Sequence, residues 1–304
     1  MGYKFAMRFH MIWLKRLLQF IFLAVTLVSC ADPHFIDKTA EHSPVLMGES
    51  VSAKSFLSKR LVFIAHNFEM INNKPQFFGL CTGVVLSYDL VLTAAHCVKN
   101  ETSTRIITTR NIHQDRITDQ QIYRIEEVVF RDPILKSATK NMNADLAIIK
   151  LSHRMSRVEF DTQWLFYKNS ADSQLSLTHK EVEAIIAGYG KINNLLNEFN
   201  ETDRSAINGV LTQATVNLES YFLDKPILEI DQNYKPGVCS GDSGGPLFLN
   251  RYDKYYLQGL AVSVLRNNES TTSVLCNYKG LFINLDFHKD WIRKNFLKMT
   301  EAKK

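Results

Sequence analysis

The feature that most constrains the fold is a succession of short apolar runs, separated by polar turns, from Val45 onward. The runs have the length of β-strands and are rich in β-branched residues. They are Leu61–Ile64, Gly83–Leu86, Leu90–Thr93, Val128–Phe130, Leu146–Ile149, Val182–Ala187, Leu257–Leu265 and Leu281–Ile283. Many short strands with polar turns between them predict an all-β sandwich or barrel.

One clear helix signal lies at the C-terminus. Asp286 is a residue type that caps helices, and Phe287, Trp291 and the pair Phe296–Leu297 mark one apolar side of the segment that follows it. We expect a helix and a short tail over residues 286–304.

Residues 1–29 have the features of an export signal. A basic region without acidic residues precedes an apolar run from Leu17 to Val28. This run is shorter than the roughly 20 residues that span a bilayer, and it is typical of the core of a signal peptide. The alternative is a signal anchor that stays uncut. Four of the five net positive charges lie in this segment, so the charge balance predicts no nucleic-acid partner.

The end of this segment has a sharper pattern. Leu27-Val28-Ser29-Cys30 resembles the lipobox of bacterial lipoproteins, in which the Cys thiol receives a diacylglyceryl group and the signal is removed before it. The resemblance implies lipidation of Cys30 and retention on a membrane by several acyl chains. The alternative is an ordinary signal with an incidental Cys. We expect an exported protein, held in the periplasm or at the cell surface, or released extracellularly by processing.

The remaining cysteines agree with export, because disulfides persist in oxidising compartments. Without Cys30 an even number is left, and three pairings are open. These cysteines are Cys81, Cys97, Cys239 and Cys276.

Three short motifs carry the candidate chemistry. They are Leu92-Thr93-Ala94-Ala95-His96-Cys97, Asn143-Ala144-Asp145-Leu146-Ala147-Ile148-Ile149-Lys150-Leu151 and Cys239-Ser240-Gly241-Asp242-Ser243-Gly244-Gly245-Pro246. A serine hydroxyl is a poor nucleophile at neutral pH and needs a base within hydrogen-bond reach. His96 can take the proton of Ser243 and later deliver it to a leaving amine. Asp145 can hold the required tautomer and stabilise the imidazolium.

Each motif alone has another interpretation. His96 beside a Cys is compatible with a structural role or a partial metal site, Asp145 with a turn, and the glycine-rich loop around Ser243 with phosphate binding. No further Cys or His lies at zinc-finger spacing and no Lys follows the loop at P-loop spacing, so the sequence predicts neither a metal nor another cofactor.

Together the motifs resemble the trypsin/chymotrypsin family of serine proteases, from about Val45 to the C-terminal helix. The order His, Asp, Ser is that of this family and differs from the orders of subtilisins and α/β-hydrolases. The resemblance implies two packed six-stranded antiparallel β-barrels followed by a helix. It also implies a triad of His96, Asp145 and Ser243 that hydrolyses protein or peptide substrates through an acyl-enzyme.

The resemblance implies roles for further residues. The N–H groups of Gly241 and Ser243 would form the oxyanion hole. Gly188-Tyr189-Gly190 resembles the Gly-Trp-Gly segment of the family, which opens the core strands of the second barrel. Thr82 stands where the family commonly has Gly, and the sequence indicates no catalytic consequence of this departure. The implied disulfides are Cys81–Cys97 and Cys239–Cys276.

These expectations divide the chain into five parts. They are a signal peptide (1–29), a tether or pro-segment (30–44), a first barrel half with His96 and Asp145 (45–165), a second half with Ser243 (166–285) and the C-terminal helix and tail (286–304).

Members of the family usually mature by cleavage before an Ile-Val-Gly-Gly-like sequence. The new amine then pairs with the Asp that precedes the catalytic Ser. Here Val45-Leu46-Met47-Gly48 is the best match, and Asp242 would be the partner. Pro44 precedes the site instead of Arg or Lys, so we do not expect a trypsin-like activator. Cleavage at Val45 would also free the enzyme from a lipid at Cys30.

The resemblance also predicts the specificity. Gly237 stands where trypsins carry an Asp that binds Lys or Arg. Ser263 resembles the serine that binds substrate backbone, Leu265 would narrow the pocket, and Gly280 leaves the opposite wall open. We predict a small or medium uncharged residue before the cleaved bond. The alternative is an alignment of these loops that is wrong by one or two residues.

Two other functions compete with an endopeptidase. One is a protease-shaped binding or adhesion protein that is catalytically silent. The other is an esterase that uses the same triad on small esters.

Overall fold

A computed structural model describes residues 48–301, except 73, 99, 133–141, 157, 163–180, 191–208, 220–223, 234, 252–253, 266–275 and 277. The predictions for the signal segment, for Cys30 and for Val45 lie outside the described residues. No helix in the described ranges is long and apolar enough to cross a membrane.

The described residues are predominantly β. The strands are β1 (Glu49–Ser50), β2 (Leu61–His66), β3 (Glu69–Ile71), β4 (Lys74–Gln76), β5 (Gly79–Ser87), β6 (Leu90–Thr93), β7 (Arg105–Ile107), β8 (Ile122–Tyr123), β9 (Ile125–Phe130), β10 (Ala147–Leu151), β11 (Glu181–Gly188), β12 (Thr212–Glu219), β13 (Ile227–Asp231), β14 (Pro246–Arg251), β15 (Lys254–Leu265) and β16 (Lys279–Asn284). The α-helices are α1 (Leu57–Arg60) and α2 (Lys289–Glu301), and 3₁₀ turns cover Ala95–Cys97, Asp119–Gln121, Met142–Ala144 and Leu285–His288.

The N-terminal sheet consists of seven antiparallel strands in the order β8-β7-β2-β5-β6-β10-β9. Only Arg124 separates β8 from β9; β8 pairs with β7, and β9 pairs with β10. These two strands therefore act as one bent strand, which closes the sheet into a barrel-like arrangement of six. β3 and β4 form a separate two-stranded hairpin.

The C-terminal sheet has the order β1-β12-β11-β14-β15-β16-β13, and β12 also pairs with β13. The additional pairing closes six strands into a second barrel-like sheet. Strand β1 lies outside this ring, although it precedes the N-terminal sheet in sequence, because Glu49 and Ser50 pair with Gln213 and Thr212. The predicted fold class, two antiparallel barrels and a C-terminal helix, is confirmed.

All the apolar runs noted in the sequence lie in strands, apart from Leu146, which lies just before β10. The sequence analysis did not recognise β12, in which Ala214, Val216 and Leu218 are buried while the residues between them face solvent or are partly buried. Such alternation is typical of a strand with one face on the core, but the short polar residues weakened its apolar signal.

The C-terminal helix forms as predicted, but its start differs. A 3₁₀ turn (Leu285–His288) precedes α2, and the side chain of Asn284 accepts a hydrogen bond from the N–H of Asp286. Asn284 therefore provides the cap, and Asp286 lies inside the turn. The prediction that Asp286 is the cap is wrong because the chain turns two residues earlier than the apolar pattern indicates.

A buried cation joins this helix to the N-terminal sheet. Lys150 Nζ, at the end of β10, lies 2.9 Å from Asp89 Oδ2 and donates to the carbonyl of Met299 at 3.0 Å. The hydroxyl of Ser87 donates to Asp89 Oδ1 at 2.9 Å. Since β10 begins two residues after Asp145, this network also fixes the strand that follows that residue.

We expect Lys150→Met to lower the free energy of unfolding by about 3–5 kcal/mol, because the Asp89 carboxylate loses its buried ammonium partner. Urea unfolding at pH 7 measures the loss. Lys235→Met is the matched control: it removes a cation from the exposed pair with Asp231, which is worth less than about 1 kcal/mol. Equal losses in both variants would contradict this account.

Candidate active site

His96 and Asp145 form a close pair at the edge of the N-terminal sheet. The turn with His96 follows β6 and Asp145 precedes β10, and these strands are paired with Thr93 opposite Ala147. His96 Nδ1 lies 2.6 Å from Asp145 Oδ2, and the backbone N–H of His96 donates to Asp145 Oδ1 at 2.8 Å. A carboxylate only accepts hydrogen bonds, so its contact with Nδ1 favours the tautomer with the proton on Nδ1, which leaves Nε2 as a base.

Ser243 lies on the turn before β14 and contacts the same edge. The N–H of Thr82 donates to the carbonyl of Ser243 at 2.8 Å, and Cys97 Sγ lies 3.7 Å from that oxygen. Ser243 is therefore beside the turn that carries His96. Between the described residues, no hydrogen bond joins the Ser243 hydroxyl to His96; such bonds are often long before substrate binds.

The loop around Ser243 presents two unused backbone donors. The N–H groups of Asp242, Gly244 and Gly245 donate to carbonyls, whereas those of Gly241 and Ser243 donate to no group in the described part of the chain. Gly241 has φ +102°, and a Cβ there would lie 2.3 Å from Leu80 Cδ1. Only glycine fits this conformation and this space.

Asp242 is buried beneath this loop. Its carboxylate accepts hydrogen bonds from the N–H of Gly190 at 2.8 Å and of Cys239 at 2.9 Å. Burial raises the pKa of Asp242 to about 7, because the two donors offset only part of the lost hydration. A Cβ on Gly188 or Gly190 would lie within 2.4 Å of a carboxylate oxygen. Gly188-Tyr189-Gly190 thus ends β11 and makes room for Asp242, and does not open a strand.

Both disulfides that the resemblance implied are present, Cys81–Cys97 and Cys239–Cys276. The first closes the turn beside His96, and the second lies beside Asp242. Cys81, His96 and Cys97 are close enough to share a metal ion, but both thiols are used in the disulfide. The group therefore offers a metal only the imidazole.

Thr82 has a role that the sequence did not reveal. Its side chain is fully buried, and Oγ1 donates to the carbonyl of Gly241 and accepts from the N–H of Tyr189, both at 3.1 Å. The residue that departs from glycine therefore bonds directly to the loop around Ser243. A side chain that bonds a carbonyl distant in sequence leaves no local signal, so sequence reasoning alone missed it.

Gln232 is a second residue that the sequence did not reveal. It is 1% exposed. Its Nε2 donates to the carbonyls of Val238 (3.0 Å) and Cys276 (2.7 Å), and its Oε1 accepts from the N–H of Val238 at 3.0 Å. A Cβ on Gly237 or Gly280 would lie 2.3 or 2.7 Å from Gln232 Oε1. The space beside Gly280, expected to be open, is therefore filled by the Gln232 amide.

The other predicted substrate contacts lie on β15. Ser263 pairs with Leu281, and Leu265 pairs with Lys279 at the strand end, where it is 39% exposed. Backbone bonds between Ala261 and Gly244 and Gly245 join this strand to the loop of Ser243. The structure thus places Ser263 on a strand that is bonded to the loop of Ser243.

Residues 66–292 match the model of the Trypsin family. The chain is 22% identical to urokinase-type plasminogen activator of Gallus gallus, over 77% of this chain and 54% of that protein. It is 27% identical to Trypsin II-P29 of Gallus gallus, over 71% of this chain and 79% of the relative. Trypsin-3 of Salmo salar is 24% identical, over 67% and 81%. The chain thus spans about half of the plasminogen activator and most of each trypsin.

The raised pKa of Asp242 predicts a pH-dependent stability of the intact chain. The folded chain keeps a proton that the unfolded chain releases, so the contribution of Asp242 to stability is lost as the pH rises from about 4 to about 7. We expect Asp242→Asn, which cannot ionise, to gain stability relative to wild type across this window, by at most about 1.4 kcal/mol per pH unit. Urea unfolding at several pH values measures the difference, and a constant difference would contradict the prediction.

Proposed function

Because the chain belongs to the trypsin family of serine proteases, we propose that it is an exported serine endopeptidase in which Ser243 is the nucleophile, His96 the base and Asp145 the orienting acid. The observation that carries this proposal is the partly buried pair of His96 Nδ1 and Asp145 Oδ2, 2.6 Å apart, whose His96 lies on the turn that adjoins Ser243.

The proposed reaction follows from these positions. His96 Nε2 takes the proton of the Ser243 hydroxyl as the oxygen attacks the substrate carbonyl, and Asp145 stabilises the imidazolium. The N–H groups of Gly241 and Ser243 bind the negative oxygen of the tetrahedral intermediate. His96 then gives its proton to the leaving amine, and water hydrolyses the acyl-enzyme by the same sequence of transfers. No cofactor takes part.

Substitution of Ser243 or Asp145 tests the mechanism. We expect Ser243→Ala to lower kcat by about 10⁶-fold and Asp145→Asn by about 10⁴-fold, because the first removes the nucleophile and the second the tautomer control. Peptide hydrolysis by the processed protein, with circular dichroism as the folding control, measures both. The exposed substitution Asp231→Asn is the control that should leave kcat unchanged.

The same assay distinguishes the competing functions. A correctly folded, processed wild type that hydrolyses neither peptides nor esters would favour a catalytically silent binding or adhesion protein. Hydrolysis of small esters without peptide cleavage would favour an esterase. The His96–Asp145 pair and the unused N–H groups of Gly241 and Ser243 support an active hydrolase over the silent protein, and the match to the trypsin family supports the endopeptidase over the esterase.

We also propose a preference for small or medium uncharged residues before the cleaved bond. Gly237 brings no negative charge for Lys or Arg, and the Gln232 amide occupies the space between Gly237 and Gly280. Its three backbone bonds hold it there. A neutral, shallow floor excludes long side chains, and Ser263 would bind the substrate backbone beside it.

Gln232→Ala should deepen this pocket. We expect the ratio of kcat/KM for a Phe substrate over an Ala substrate to rise by about tenfold, because the deeper pocket can hold parts of the substrate side chain that the Gln232 amide excludes. The matched control is Gln258→Ala, which truncates another buried glutamine, bonded to Asn284 and Asp286. Wild-type preference for Lys or Arg, or an equal change in both variants, would refute the pocket assignment.

Two further proposals concern residues before Gly48. Cleavage before Val45 would create an amine that pairs with Asp242, lowers its pKa and removes the pH-dependent loss of stability in the intact chain. Strand β1, anchored on β12 by Glu49 and Ser50, supports this proposal because it holds the chain just after that site.

Lipidation at Cys30 would retain the uncut protein on a membrane, in the periplasm or at the cell surface, until processing releases it.

A further inference from the structure

Thr82 holds the loop of residues 239–245, here called the oxyanion loop, at two points. Its backbone N–H donates to the carbonyl of Ser243 at 2.8 Å, and its hydroxyl donates to the carbonyl of Gly241 at 3.1 Å. The N–H of Asp242 is bonded to the carbonyl of Cys239 at 3.1 Å. The peptide group between Gly241 and Asp242 is therefore fixed through both its oxygen and its nitrogen.

We propose that the Thr82 hydroxyl is a positioning group that keeps the N–H groups of Gly241 and Ser243 directed at the oxyanion. The inference rests on the proposed function for its catalytic meaning. Thr82 touches no reacting atom, so it acts through the backbone of the loop.

A hydroxyl suits this position because it donates and accepts at once. While it donates to the carbonyl of Gly241, it accepts from the N–H of Tyr189 at 3.1 Å. The next N–H, that of Gly190, binds the Asp242 carboxylate. The loop is thus held on one side by Thr82 and on the other by the segment that Thr82 itself anchors.

The conformation of Gly241 makes this anchoring important. Its φ of +102° lies in a region that glycine occupies without strain but does not prefer strongly. Without the hydrogen bond from Thr82 to its carbonyl, Gly241 is free to rotate, and this rotation turns its N–H away from the oxyanion. Neither bond from Thr82 to this loop involves an amine at Val45.

Three substitutions, each made in the full chain and assayed after the same processing as the wild type, test the inference. Thr82→Val keeps the shape and removes both hydroxyl bonds, Thr82→Ala does so with less bulk in case Val does not fold, and Thr82→Ser restores the hydroxyl. Thr104→Val is the matched control: Thr104 is also fully buried, and its hydroxyl donates to the carbonyl of Asn100 at 2.6 Å, away from the loop.

We expect Thr82→Val and Thr82→Ala to lower kcat about tenfold with less than about a twofold change in KM, because the loss of a buried hydrogen bond weakens only oxyanion binding. Thr82→Ser should recover kcat to within about twofold, and Thr104→Val should leave it unchanged. A rise in KM at constant kcat, or no recovery in Thr82→Ser, would overturn the inference.

Hydrogen exchange of the bonded N–H groups of Asp242, Gly244 and Gly245 provides a readout that needs no catalysis. Exchange should become at least several-fold faster in Thr82→Val and Thr82→Ala, and remain slow in Thr82→Ser and Thr104→Val. Unchanged exchange in the folded variants would overturn the positioning role. If processed wild type hydrolyses nothing while exchange responds as expected, the proposed enzyme function fails and the positioning role stands.

Discussion

The site depends on the joint where the loop of Ser243 packs against the N-terminal sheet. The N–H of Thr82 donates to the carbonyl of Ser243, and Cys97 Sγ lies 3.7 Å from the same oxygen. A Cβ on Gly244 would lie 2.1 Å from Thr93 Oγ1 and 2.2 Å from the carbonyl of Thr82. Only glycine, which also accommodates φ +79° there, permits this approach. The joint places Ser243, on a loop of the C-terminal sheet, beside the turn of the N-terminal sheet that carries His96.

Beneath the joint, the loop is arranged around a buried carboxylate. Asp242 accepts two backbone hydrogen bonds, and the missing side chains of Gly188 and Gly190 provide the space that it fills. With its carboxyl oriented inward, the N–H groups on either side, those of Gly241 and Ser243, are left unused. The Asp242 carboxylate thus explains why residues 188 and 190 are glycines. It also explains why the two N–H groups that the proposed chemistry needs are available. Burial raises the pKa of Asp242 to about 7, so its charge changes near neutral pH.

The sequence predicted what is encoded locally. Strand-length apolar runs predicted an all-β fold. The motifs around His96, Asp145 and Ser243, through the family resemblance, predicted two barrels and identified the candidate residues. It did not predict the roles of Thr82 and Gln232, because their partners lie far away in sequence or are backbone atoms without a residue signature. The cap of the C-terminal turn was misplaced for a related reason: Asp286 and Asn284 are both good capping residues, and only packing chooses between them. Whether Val45 and Cys30 are processed lies outside the described residues and stays a prediction.

The most direct test of the central claim is the intact mass of the protein from its native cells after reaction with a fluorophosphonate. The account predicts one adduct, absent in Ser243→Ala, on a chain that begins at Val45. An adduct on a chain that still carries a lipidated Cys30 would support the enzyme assignment and show that activity does not require a new amine at Val45. A folded chain that begins at Val45 and takes no adduct would contradict the assignment of Ser243 as an activated nucleophile.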